Sequence, residues 1–156
     1  MATNAPYLIG GATGQDPILF LIQLLDGYIY DENANHVSLV TAYPKRINQI
    51  PRVVLKAKEE TMEFLSIPAV RRRWTAPFDL LVWAISVEQR YAIKQSIQAR
   101  LDYLANPTAQ WADNYVYMWY SQHTYEDEVL MFGQPIFRVF GEITLKYDVL
   151  VSQAQI

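Results

Sequence analysis

The chain has 156 residues, 51% hydrophobic and 19% charged, with a net charge of −3, a pI of about 5.3 and no cysteine. That size and balance suit one folded domain, able to bury roughly 70% of its unfolded surface without a metal or disulfide staple. They speak against a generally basic nucleic-acid binder, and the missing cysteines exclude disulfides, thiolate nucleophiles and cysteine-based metal sites.

Residues 1–15 are small, polar and glycine-rich, ending Gly10-Gly11-Ala12-Thr13-Gly14-Gln15. They read as a flexible arm ahead of a single domain over 16–156. The start, Met1-Ala2-Thr3-Asn4, lacks the positive region of a signal peptide. The longest apolar run, 18–25, is interrupted by Gln23 and is too short to span a bilayer. A soluble chain is expected, and the absence of cysteine fits a reducing cytoplasm. So small a supply of charge leaves apolar surface that self-association would cover.

Asp16-Pro17 predicts a helix start, because aspartate caps free N–H groups and proline tolerates the first helical position. Ile18, Leu21, Ile22, Leu25 and Ile29 follow at helical spacing, giving a helix over 16–29. Residues 36–42 read as a short strand broken by Pro44, and 52–59 as a strand with one wet face. The segment 61–67 either continues the sheet or turns. Arg71, Arg72 and Arg73 then lead as a loop into 78–87, apolar on both faces and therefore expected at the centre of a covered sheet. Glu88 opens a second helix, with Tyr91, Ile93, Ile97, Leu101 and Leu104 as its buried stripe and Arg90, Lys94, Gln98 and Arg100 facing out.

Beyond Asn106-Pro107, the segment 111–125 alternates aromatic and aliphatic residues as strands do. Glu126, Asp127 and Glu128 read as a charged turn, 129–132 as a short apolar piece, and 136–151 as a long strand or bent pair with Gly141 as a bulge. The fold class expected is α+β: a mainly antiparallel sheet packed against two amphipathic helices, with an aromatic β-rich insertion.

Several motifs invite a chemical reading. Gly10 to Gly14 imitates a dinucleotide-binding turn, but the third glycine of that pattern falls at Pro17 and no alternating strands and helices follow. A flexible arm running into a capped helix is the favoured reading, and a small nucleotide-binding enzyme is the remote one. His36 and His123 have no metal partner at ligand spacing, and a serine-histidine-aspartate triad has no positive support. Three adjacent acids in a turn are usually solvated rather than cation-binding. No catalytic residue, cofactor or metal is expected. Arg71, Arg72, Arg73 and Trp74 form the one concentrated basic patch, suited to an acidic neighbouring subunit more than to DNA phosphates. Trp111, Tyr115, Tyr117, Trp119 and Tyr120 lack the interleaved lysines and arginines of a base-stacking platform. They read as a core hairpin or as a protein contact strip, since tyrosine and tryptophan are favoured at interfaces.

The order of elements resembles that of the tail terminator proteins of tailed bacteriophages. The stretch Trp74-Thr75-Ala76-Pro77-Phe78-Asp79-Leu80-Leu81-Val82-Trp83-Ala84, followed by Arg90 and 97–101, carries the resemblance. The segment 109–132 departs from the family's minimal pattern as an insertion. The resemblance implies a non-enzymatic virion protein of the tail or neck, assembled in the host cytoplasm. It implies a hexameric ring that stops growth of the tail tube and presents a surface to the head–tail connector. Its partners would be copies of itself, the tail tube protein, the connector protein and the sheath protein where a tail has one, with DNA only as cargo and no membrane. Another neck or baseplate protein, such as a head–tail adaptor or a tube initiator, is the alternative. A ring needs two different complementary patches on each subunit. Arg71, Arg72 and Arg73 against Glu126, Asp127 and Glu128 are the expected charged pair, and the aromatic segment is the expected apolar area.

Overall fold

The computed structural model describes residues 17–64, 71–104 and 116–150, with the backbone alone at 64, 71–72, 116–122 and 147–150. The elements run α1 (Pro17–Leu25), β1 (Leu39–Val40), β2 (Arg52–Ala57), β3 (Thr61–Phe64), β4 (Arg71–Ala84), α2 (Val87–Leu104), β5 (Val116–Met131) and β6 (Gln134–Leu150). The six strands form one mixed sheet in the order β1-β2-β4-β6-β5, with β3 paired to β4 beyond the end of β2. Only β1 and β2 run parallel. The α+β class expected from the sequence is what the chain adopts. The N-terminal arm with its Gly10–Gly14 motif lies outside the described residues, and so do Trp111 and Tyr115.

Strand β4 organises the sheet. It pairs with β6 along its whole length, from Arg71↔Leu150 to Ala84↔Phe137, and offers its other edge to β3 and then β2. Successive side chains of a strand point to opposite faces. Ala76, Phe78, Leu80 and Val82 therefore share one face, and both helices cover it. The main core joins them to Val53, Leu55, Val139, Ile143 and Leu145 from the sheet, and to Phe20, Leu21, Ile93, Ile97 and Leu101 from the helices. Leu81 and Trp83 point the other way into a smaller cluster with Val54, Ile136, Ile47 and Ile50, closed by the loop between β1 and β2. The double-sided apolar pattern of 78–87 has this cause: β4 is central and both faces are covered near its C-terminal end.

Local chemistry fixes the helix ends. Ser86 Oγ accepts from Gln89 N at 3.1 Å, and the Gln89 side chain returns to accept from Ile85 N at 2.9 Å. Two donors that a helix start leaves open are thereby satisfied, in the manner of a capping box. At the C-terminal end of α1, Gly27 takes a φ of +92°, where a Cβ would be strained. Arg100 of α2 donates from Nε to the Leu24 carbonyl at 2.8 Å, placing a cation at the negative end of α1. Its guanidinium stacks on Tyr28 at 3.5 Å. Arg100 is thus half-buried between the helices rather than facing out.

Other local expectations are corrected by pairing partners that sequence patterning does not see. The strand expected over 36–42 shrinks to Leu39–Val40 and an isolated Tyr30–His36 bridge. The undecided segment after Thr61 is a strand as far as Phe64. Arg71, Arg72 and Arg73 are not a loop, because β6 pairs with all three and β3 with Arg72 and Arg73, which extends β4 through them. The acidic residues Glu126, Asp127 and Glu128 do not end a strand: they form a bulge within β5, and 129–131 continue it. The other irregularity, between Ser121 and His123, also falls in β5, opposite Gly141, so Gly141 is the regular partner of a bulge and not the bulge itself.

The β5–β6 hairpin closes on Phe132-Gly133, with φ of +54° and +80°. Both values suit the two-residue turn whose twist matches the flanking strands, and asparagine-glycine is the preferred pair there. Phe132 is costly at such an angle. Phe132→Asn is therefore expected to raise stability by about 0.5–1 kcal/mol, whereas Gly133→Val should lower it by about 1–2 kcal/mol. Thermal melts of the two variants moving in the same direction would contradict this reading of the turn.

Candidate interaction surface

Among the residues proposed from sequence, the basic segment and the described part of the aromatic segment lie on strands that flank β6 at the same end of the sheet. Arg71 and Arg72 sit at the start of β4 as register partners of Leu150 and Val149, and their side chains lie outside the description. Arg73 faces Glu63 across β3 and Asp148 across β6. It lines a polar cleft of about 390 Å³ with Thr61, Met62, Glu63, Thr75 and Lys146. Trp74 is partly buried and packs against the main core, on the face that the helices cover. Tyr117, Trp119 and Tyr120 are register partners of Lys146, Thr144 and Ile143 along the hairpin. The aromatic segment from 116 onward is therefore the outermost strand of the sheet.

Two of the three acidic residues of the bulge are paired within the chain. Glu126 is bound to Arg138, and Asp127 to Arg90, within the same chain. Arg90 was expected to face outward and instead has only 8% of its side chain exposed. Its Nη1 donates to Asp127 Oδ1, to the Glu126 carbonyl at 3.3 Å and to the Arg138 carbonyl at 3.2 Å. The guanidinium also lies 4.9 Å from the Tyr125 ring centre and 5.9 Å from that of Phe137. One arginine on the first turn of α2 thereby ties the helix to the β5 bulge and to β6. The sequence carried a signal for it, because Arg90 stands at helical spacing before Ile93, Ile97, Leu101 and Leu104. Tyr91, placed on that stripe by sequence, falls off it and is 60% exposed.

What sequence reading missed is an exposed apolar margin around this arginine. Ile85 and Val87 lead into α2, Tyr91 stands one turn on, Tyr125 flanks the bulge, and Leu130 and Phe132 lie at the hairpin tip, with Leu130 76% exposed. The register Ala84↔Phe137 and Leu130↔Pro135 sets the hairpin tip beyond the end of β4, where α2 begins.

The opposite, open part of the sheet is charged. Lys58 Nζ lies 2.8 Å from Glu142 and 3.6 Å from Asp79, beside a shallow 140 Å³ depression lined by Asp79, Thr124, Phe140, Gly141 and Glu142. The hydrogen bond to Glu142, and then the charge of Asp79, push the Lys58 pKa upward. A raised lysine pKa contributes stability that is complete below its unfolded value and fades as pH rises through the folded one.

The two histidines are far apart in role. His36 is exposed, with Nε2 3.9 Å from Asp26 Oδ1 and its ring edge-on to Tyr30. His123 is half-buried in β5, and desolvation, followed by the charge of Lys94, lowers its pKa. Folding thus favours neutral His123, so stability present above the unfolded histidine value is lost as pH falls toward the lower folded value. His123→Gln is expected to flatten the decline in stability just below pH 6.5; an unchanged slope in urea titrations at several pH values would count against it.

Among the described residues no group of three or more histidines and carboxylates is placed to hold a metal ion. No described helix is long and apolar enough to cross a membrane. Comparison with protein-family models finds no match, and comparison with curated proteins finds none at a significant level.

Proposed function

We propose that this chain is a non-enzymatic structural subunit of a phage tail or neck, forming a ring that caps the tail tube and joins it to the head connector. The observation that carries the reading is the apolar margin of Ile85, Val87, Tyr91, Tyr125, Leu130 and Phe132. Beside it, the Arg90 network fixes the first turn of α2 to the β5 bulge. The resemblance in element order around Phe78 and α2 supplies the class of assembly, in which copies of the chain are the first partners and the tube and connector proteins the next. In this role the protein is assembled in the host cytoplasm and ends in the virion, with DNA passing through as cargo and with no cofactor.

The reading predicts a defined homo-oligomer, or one that forms on the end of a tail tube. Light scattering with negative-stain imaging of the purified chain, alone and mixed with tail tube protein, should reveal a closed ring and tubes that cease to lengthen. A chain that stays monomeric and leaves tube growth unchanged would overturn it. Leu130→Lys should weaken binding at the margin without lowering the melting temperature, because the side chain is already in solvent.

A further inference from the structure

Charge is segregated along the first third of the chain. No lysine or arginine precedes Lys45, and no aspartate or glutamate falls between Glu32 and Glu59. The fold sends the two blocks to opposite faces of the sheet. The acidic turn follows α1 and is pinned on the helical side: Tyr30 N donates to Ser96 Oγ at 3.0 Å, and Ser96 donates to the Tyr28 carbonyl at 3.0 Å. Asp31 Oδ1 accepts from the backbone of Asn33 and Asn35, both at 2.9 Å, so the turn has a fixed shape. The basic block crosses to the other side. Tyr43 rests 6.1 Å from Trp83, Lys56 lies 4.4 Å over the Tyr43 ring, and Arg52 donates to the Ala42 carbonyl at 3.1 Å.

Each patch carries exposed aromatic area beside its charge: Tyr30 and Tyr28, the latter with the Arg100 guanidinium on its ring, on the acidic side, and Tyr43 on the basic one. Lys45 and Arg46 are exposed and form no ion pair among the described residues. Two rigid, aromatic-bearing patches of opposite sign on opposite faces of one chain are complementary to each other. They cannot meet within that chain, because the sheet and its core lie between them.

We infer that the basic loop around Tyr43, Lys45 and Arg46 docks on the acidic turn around Tyr28, Tyr30 and Glu32 of a second copy of this chain. The contact is heterologous and repeats head to tail, which is the kind that closes a ring when the rotation per subunit permits. It rests on the ring reading for its closure and specifies the joint between subunits. Opposite charges speed and orient the encounter, while the tyrosines supply the buried area.

The test is a charge swap on the full chain, read by light scattering at low and high salt, with circular dichroism and thermal melts to establish that each variant is folded. The wild type should associate, and less so at high salt, because exposed charges are screened. K45E/R46E and E32K/N33K should each weaken association about tenfold or more through like-charge contact. The quadruple variant K45E/R46E/E32K/N33K, with both signs inverted, should restore it. Folded reversals that associate like the wild type would overturn this joint and leave the ring standing. A quadruple variant that fails to recover association while folded would do the same. A wild-type chain that remains monomeric at low salt, alone and with tail tube protein, would overturn the joint and the ring together.

Discussion

Phe78→Ala is expected to lower the stability of the chain by about 3–5 kcal/mol, as is typical when a large aromatic side chain is deleted from a packed core. Phe78 is 2% exposed and belongs to the cluster that joins β4 to both helices, with Ala57 and Ile143 as its strand partners. Removing the ring leaves a void that the long, doubly paired β4 cannot collapse to fill. A small domain has only about 5–15 kcal/mol of total stability. The variant should therefore melt roughly 10 °C lower, with a reduced urea midpoint at an unchanged slope. Phe78→Leu keeps most of the volume and should cost less than half as much. An alanine variant that loses under about 1 kcal/mol would show that the helices relax onto the sheet more readily than this packing allows.

Arg90→Met is expected to cost about 2–3 kcal/mol, and the source of that cost is specific. The Asp127 carboxylate is 62% exposed, so its pairing with Arg90 is worth no more than about 1 kcal/mol. The larger loss lies in the charge-assisted hydrogen bonds from the buried guanidinium to the carbonyls of Glu126 and Arg138. Arg90→Lys should recover only part of it, because a strongly hydrated ammonium is costlier to bury than a guanidinium lying beside the Tyr125 and Phe137 rings. Asp127→Asn alone should cost less than about 1 kcal/mol. Chemical denaturation of these variants separates the two contributions. If Asp127→Asn proved as damaging as Arg90→Met, the ion pair and not the carbonyls would dominate. Hydrogen exchange in the Arg90 variants should accelerate first at the β5 bulge, the element that arginine holds to the helix.

The same arginine shows where local pattern stops being informative. Its position at helical spacing before Ile93, Ile97, Leu101 and Leu104 marks it for the buried face. Its charge marks it for solvent, and composition-based reading follows the charge. Burial prevails because a bulge 36 residues later brings a carbonyl and a carboxylate to meet it. Arg100 repeats the lesson, half-buried against a helix end 76 residues away.

The sequence by itself determined the parts of this protein that short-range physics controls. Apolar runs with period two and spacing near 3.6 located the central strand, both helices and the long final strand, and hence the α+β class. Ser86 and Gln89 set one helix start, and Gly27 sits at a helix end, as their side-chain chemistry and backbone freedom dictate. Only the tertiary structure decided which charges are free. It showed that Arg71 to Arg73 are strand and not loop, because β6 pairs with all three and β3 with two of them. It showed that Glu126 and Asp127 are spent on Arg138 and Arg90 within the chain. It also sent the first acidic and first basic blocks to opposite faces of the sheet. A residue's partners lie tens of positions away, at distances that loop closure and strand register set together, and no local window of sequence records them.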